Sequence, residues 1–220
     1  SSFEEVAFLL LHKRLPTKKE LNDYCNYLQS LTSLPQPLLQ LLENIPKNTC
    51  MIDVLRTACS FLGNLEPEED PKSLKSAERL LACFPSMLLY WYHFHYSNKK
   101  ISLDTGENTI SGHFLYLLYQ RKPEEHLRKC LDTSLILYAE HEFNASTFTV
   151  RTIASTLPDF HSAITGGIGA LRGPLHGGAN EAALHLIESY KTPEEAKLGL
   201  LEKLSNKSLI MGFGHRVYTT

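Results

Sequence analysis

The 220-residue chain has no Cys-x-x-Cys pair, no Gly-x-x-x-x-Gly-Lys-Ser/Thr loop and no Gly-x-Ser-x-Gly elbow, so thiol-redox, P-loop and serine-hydrolase chemistries have no anchor in it. Cysteine is scarce: Cys25, Cys50, Cys59, Cys83 and Cys130 are odd in number and sit in apolar helical runs. A disulfide framework is disfavoured, and a cytoplasmic location is expected. Neither sign of charge dominates, since 22 Lys and Arg face 24 Asp and Glu. No basic block interleaves with aromatics, which argues against nucleic acid and against an anionic membrane surface as partners. Long hydrophobic runs are missing too, being broken by Arg79, Pro85 and the histidines of LLYWYHFHY. The first residues, SSFEEV, lack a basic region followed by an apolar one, so neither membrane insertion nor export is indicated.

Strand-like alternation is nearly absent, whereas apolar spacings of three and four recur between helix stop signals. An all-α protein follows. Helices are expected over Phe3 to Leu15, stopped by Pro16, and from a Thr17–Glu20 capping box through about Leu31. Shorter ones should follow Pro37 and Thr49. The aromatic-rich run from about Ser73 to Tyr96 contains Pro85 and predicts a kinked, buried helix or two abutting ones. Further helices are expected over Ile110 to Gln120, over Pro123 to His141, from just past His176, and from Pro193 with Thr192 as cap. Asn144 to Thr156 is rich in Ser and Thr, and the small residues of SAITGGIGAL (Ser162 to Leu171) permit close helix crossing, within the chain or between subunits. A domain boundary is placed near Gly177 and Gly178, giving a large helical domain over 1–177 and the beginning of a smaller one over 178–220.

Nine of the twelve glycines lie after position 165, and two histidines stand among them: His176 in GPLHGGANE and His215 in MGFGHRVY. Glycines allow a backbone to approach a ligand closely, and a neutral imidazole can give or take a proton near pH 7. His176 precedes a helix N-terminus, whose dipole keeps the ring neutral and able to donate to a carbonyl oxygen as negative charge develops, an effect of about 3 kcal/mol. The amides from Leu209 to Gly214 can converge on an anionic or adenine-bearing ligand. Metal chemistry lacks support: HEFNA has Ala145 where a zincin requires a second histidine, and His93 and His95 are two apart on a helix, hence on different faces. GGIGALRG has Arg172 in place of the third glycine of a dinucleotide fingerprint. His141, at the end of an apolar helix, reads equally as a capping residue and as a site residue.

GPLHGGANE, GFGHRVY and AEHEFNAST resemble the citrate synthase family, in the family's order and over essentially the whole chain. LLYWYHFHYS (Leu88 to Ser97) and HEFNASTFTVRTIAST (His141 to Thr156) are most similar to its bacterial 2-methylcitrate synthase branch. The resemblance implies a helical homodimer whose large and small domains close over oxaloacetate and an acyl-CoA, propionyl-CoA for the 2-methylcitrate synthase branch with acetyl-CoA as the alternative, and with no metal or cofactor. It gives His176 the thioester carbonyl, His215 the ketone of oxaloacetate, His141 a role in binding oxaloacetate, and Leu209, Ile210, Met211, Gly212 and Phe213 the backbone loop that receives CoA. Family members continue past GHRVY into a base aspartate and carboxylate-binding arginines. These roles are expected beyond Thr220 and are not transferred to Asp159 or Glu181. The alternative from another class is a non-catalytic helical dimerisation fragment.

Overall fold

Capping chemistry sets many of the helix ends. The computed structural model describes residues 1–213, Asn180 through its backbone alone, and within them the chain forms eleven α-helices and no strand. The all-α expectation holds. Helix α1 spans Phe3–His12 and α2 spans Lys18–Ser30. Thr17 accepts the Glu20 N–H at 3.3 Å while the Glu20 carboxylate accepts the Thr17 N–H at 2.8 Å, the reciprocal box that the sequence signals. α1 stops short of the expected Leu15: Lys13 turns left-handed at φ 60° and its N–H closes on the Leu9 carbonyl.

The next helices are α3 (Gln36–Asn44), α4 (Met51–Leu65), α5 (Lys75–Ser97) and α6 (Ile110–Tyr119). α4 is longer than expected because Val54, Leu55, Ala58, Cys59 and Leu62 hold one continuous buried face. α5 is a single helix, not two. Pro85 cannot donate to the carbonyl four residues back, a loss offset by burial of Leu80, Ala82, Cys83, Met87, Tyr90 and Trp91. Trp91 is fully buried, and each such large apolar side chain contributes about 1.5 to 3 kcal/mol.

α7 spans Glu125–Tyr138, later at its start and earlier at its end than expected. α8 (Ala145–Ala154) forms where the Ser/Thr-rich composition gave no helix expectation, and α9 (Phe160–Leu171), α10 (Gly178–Glu188) and α11 (Pro193–Ser205) complete the set. Thr192 accepts the Glu195 N–H at 3.2 Å, as its position before Pro193 predicts.

The chain divides into two compact units, Ser1–Ile168 and Gly169–Thr220. In the first, α5 is central and packs against α2, α3, α4 and α6. Its main core joins Leu38 and Leu42, Val54 and Leu62, Met87 and Trp91, Leu117 and Ile168. A second cluster, including Phe3, Phe8, Tyr24, Leu28 and Ile110, docks the first two helices. Arg79 ties three segments together. Its Nε and Nη2 each donate to the Glu66 carboxylate at 2.8 Å, while Nη1 donates to the carbonyls of Leu31 and Ser33.

The small residues of α9 act as foreseen within the chain. A Cβ on Gly167 would stand 2.5 Å from Cγ2 of Val150, and one on Gly166 would collide with Ile153, so α8 crosses α9 at near-contact distance. In the second unit, the Tyr190 ring occupies the space beside Gly199 of α11, 2.5 Å from where a Cβ would lie. Among the described residues no helix is long and apolar enough to cross a membrane.

Candidate functional site

His176 stands in the turn that leads from α9 into α10, one residue before the cap Gly177. The main chain builds this turn. The Gly173 carbonyl accepts both the His176 N–H at 3.0 Å and the Gly178 N–H at 3.2 Å, and the His176 carbonyl accepts the Ala179 N–H at 3.1 Å. Glycine is required by crowding: a Cβ on Gly177 would lie 2.5 Å from the Leu171 carbonyl oxygen, and one on Gly178 would lie 3.1 Å from that of Gly173. The half-buried His176 therefore stands at the positive end of α10, where a hydrogen bond to an oxygen gaining negative charge is supported.

The segment Leu209 to Phe213 lies in the same unit. It forms a turn closed by the Phe213 N–H on the Ile210 carbonyl at 3.3 Å, with Gly212 at φ 91°, a conformation that favours glycine. A Cβ on Gly212 would come within 3.0 Å of the Ala183 Cβ, so the loop lies against α10, the helix that His176 precedes. Leu209 and Phe213 are exposed, leaving that surface open to a ligand. His215 falls outside the described residues, as does the rest of 214–220.

His141 belongs to the first unit and does not cap α7. The cap is Ala139, and His141 is exposed in the connection to α8. The helix ends early because the Glu140 carboxylate accepts the Glu142 N–H at 2.6 Å and Glu142 turns left-handed at φ 51°. Asn144 then accepts the Thr147 N–H at 2.9 Å and starts α8. His141 thus stands on a short loop between two capped helices, a placement suited to presenting a side chain.

The two acids withheld from a catalytic role have other contacts. Asp159 accepts the N–H and hydroxyl of Ser162 at 2.9 and 2.5 Å, bonds that hold its carboxyl below the usual range and cap α9. Glu181 is exposed on the first turn of α10 and lies 3.9 Å from His185. Among the described residues no three His, Cys, Asp or Glu side chains converge as a metal site. His93 and His95 instead contact the carbonyls of Leu117 and Leu42 at 2.8 and 3.2 Å.

His161, which lines a cavity of about 630 Å³ in the first unit, was not among the expected site residues. Its signal is weak: DFH reads as an ordinary helix start, and the neighbouring EPEED run reads as a solvated loop.

Residues 1–220 match the family model described as citrate synthase, C-terminal domain. The chain is 51% identical over 219 residues to 2-methylcitrate synthase of Shewanella oneidensis, covering 99% of this chain and 58% of that protein. It is similar to the crystal structure of citrate synthase from Thermotoga maritima, with a TM-score of 0.87 and 36% identity over 100% of this chain and 58% of the other. A TM-score of 0.87 at 29% identity relates it, over the same shares, to the citrate synthase of Thermoplasma acidophilum in its ternary complex with carboxymethyl coenzyme A and oxaloacetate. The chain thus spans a little under three fifths of the proteins that it matches.

Proposed function

Because the chain belongs to the citrate synthase family, we propose that its parent protein condenses an acyl-CoA with oxaloacetate and hydrolyses the resulting thioester, with propionyl-CoA as donor and 2-methylcitrate and CoA as products. The observation that carries this reading is the glycine-built turn that sets His176 at the start of α10, the helix against which the loop of residues 209–213 lies at Ala183. In this scheme His176 donates to the thioester oxygen as the α-carbon loses its proton, which stabilises the enolate. That carbon attacks the ketone of oxaloacetate, whose oxygen receives a proton from His215, while His141 helps hold the keto acid. The loop Leu209, Ile210, Met211, Gly212 and Phe213 receives CoA through its backbone. Water then cleaves the thioester, so the cycle calls for no cofactor or metal. No residue of this chain is assigned to removing the α-proton.

Propionyl-CoA is favoured over acetyl-CoA by the name of the relative at 51% identity and by the segments Leu88 to Ser97 and His141 to Thr156. Phe143, Phe148 and Leu157, exposed at 70%, 65% and 91%, are large apolar side chains at and around α8 that a homodimer contact would cover. We place the protein in the cytoplasm. The test is kinetic: in the full-length protein, His176→Ala should lower turnover by about 100-fold to 1,000-fold with oxaloacetate affinity retained. Turnover near that of the wild type removes the role. Comparing kcat/KM for the two acyl-CoAs decides the donor, since one methylene commonly shifts discrimination by about 10-fold to 200-fold. The span of 58% favours a second reading for residues 1–220 alone, a non-catalytic helical module, which calorimetry with oxaloacetate would distinguish by showing no binding heat.

A further inference from the structure

His141 stands on the loop of residues 140–144 between α7 and α8, and the side chain just before it shapes that loop. The Glu140 carboxylate reaches past His141 and accepts the Glu142 N–H at 2.6 Å. A bond from a side chain to the amide two residues on closes a ring of atoms that contains both φ and ψ of the residue between them. The direction in which the His141 Cβ leaves the main chain is therefore set through Glu140. Its acceptor is a charged oxygen, which makes the bond shorter and stronger than one between neutral groups.

The far side of the loop is fastened separately. Glu142 takes φ 51°, a left-handed torsion uncommon for a residue with a Cβ. The Arg151 guanidinium of α8 lies over the Phe143 ring, 5.0 Å from its centre, and so ties the loop to that helix. The Asn144 side chain accepts the Thr147 N–H at 2.9 Å and fixes the chain where α8 begins. Glu140 thus holds the incoming side of the loop, Phe143 and Asn144 hold the outgoing side, and His141 between them is exposed. Backbone freedom withdrawn before a ligand arrives does not have to be lost on binding, so a fastened loop binds more tightly than a loose one.

We propose that Glu140 is a positioning residue for oxaloacetate: its carboxylate holds the His141 backbone in the conformation that presents the imidazole to the keto acid, without itself touching the ligand. This rests on the role given to His141 above, and the effect of Glu140 is then exerted through His141 and on oxaloacetate binding alone.

Calorimetric titration of the full-length protein with oxaloacetate tests it, together with KM for the acyl-CoA at saturating oxaloacetate. Glu140→Ala should weaken oxaloacetate binding by about 3-fold to 10-fold and leave the acyl-CoA KM unchanged. Because the bond lies at the surface, the melting temperature of that variant should stay within about 2 °C of the wild type. Glu140→Gln keeps an acceptor oxygen at the same reach and should bind oxaloacetate more nearly as the wild type does than as Glu140→Ala does. In a His141→Ala background, Glu140→Ala should add nothing. An oxaloacetate affinity unchanged in Glu140→Ala, an equal loss for both substrates, a Glu140→Gln variant no better than Glu140→Ala, or full additivity with His141→Ala each overturns the proposal alone. An oxaloacetate affinity unchanged in His141→Ala overturns the role of His141 and the proposal with it, so the two failures are told apart.

Discussion

Acidification should destabilise this fold through one buried histidine. His113 of α6 is 2% exposed and bridges two hydroxyls: its Nε2 lies 2.9 Å from Ser86 Oγ, and its Nδ1 lies 2.9 Å from Thr105 Oγ1. Ser86 directs its hydrogen to the Thr32 carbonyl at 2.6 Å, so the imidazole must donate to Ser86 from Nε2 and accept from Thr105 at Nδ1. Every position on the neutral ring is used, and a second proton has no acceptor in place. Burial accordingly lowers the pKa from 6.5 to about 4. Above pH 6.5 the folded and unfolded chains both hold a neutral ring. Between that point and about pH 4 the unfolded chain takes up a proton that the folded chain refuses, so stability falls as pH falls; below about 4 the loss is complete. At about 1.4 kcal/mol per pH unit the contribution is about 3 kcal/mol, a large share of a typical net stability of about 5 to 15. Glu4 and Glu78, whose pKa values burial raises, work in the opposite direction. The comparison must therefore be with His113→Gln, which keeps a donor and an acceptor but cannot titrate. Urea unfolding followed by circular dichroism from pH 7.5 to 4.5 should show the wild type losing about 3 kcal/mol more than the variant. Two parallel stability curves would refute the argument.

Arg79→Met should be among the most damaging single changes, since it leaves Glu66 and the carbonyls of Leu31 and Ser33 without their donor. With allowance for the partial exposure of Glu66, a loss of about 2 to 4 kcal/mol is expected, which thermal melts would register as a Tm lower by about 5 to 15 °C. A shift below about 2 °C would mean that the fork is dispensable. Gly167→Val should cost about 1 to 3 kcal/mol by forcing α8 away from α9, and adding Val150→Ala should recover part of that loss in a double-mutant cycle. Strict additivity of the two changes would deny the close crossing.

Where a helix is set by chemistry within four residues, the chain states it openly. Thr17 with Glu20 and Thr192 before Pro193 are such cases, and both caps form as written. α8 went unread because threonines and serines suggest turns, yet Asn144 caps it and the hydroxyls of Thr149 and Thr152 fold back onto the carbonyls of Ala145 and Phe148. Pro85 left one kinked helix and two abutting ones both open, and a buried surface gathered from distant helices decides for a single one. For the site, the glycines around His176 announced both the turn and the helix behind it. The end of α7 depended on a carboxylate–amide contact at Glu140 that periodicity cannot register, so His141 was placed on the wrong element. His161 was invisible because its isolation is a property of tertiary packing, with partners missing in space and nothing unusual in its neighbours along the chain.

The bend from Gly173 to Gly178 takes its shape from peptide groups, with both the amide and the carbonyl of residue 176 occupied by the backbone and no left-handed torsion there. The main chain at residue 176 is therefore fixed by neighbouring peptide groups. Histidine analogues of graded basicity, such as fluorinated or methylated rings, could be installed at that position with little disturbance to the scaffold. Any resulting change in reactivity would then report on proton affinity and donor geometry instead of on folding.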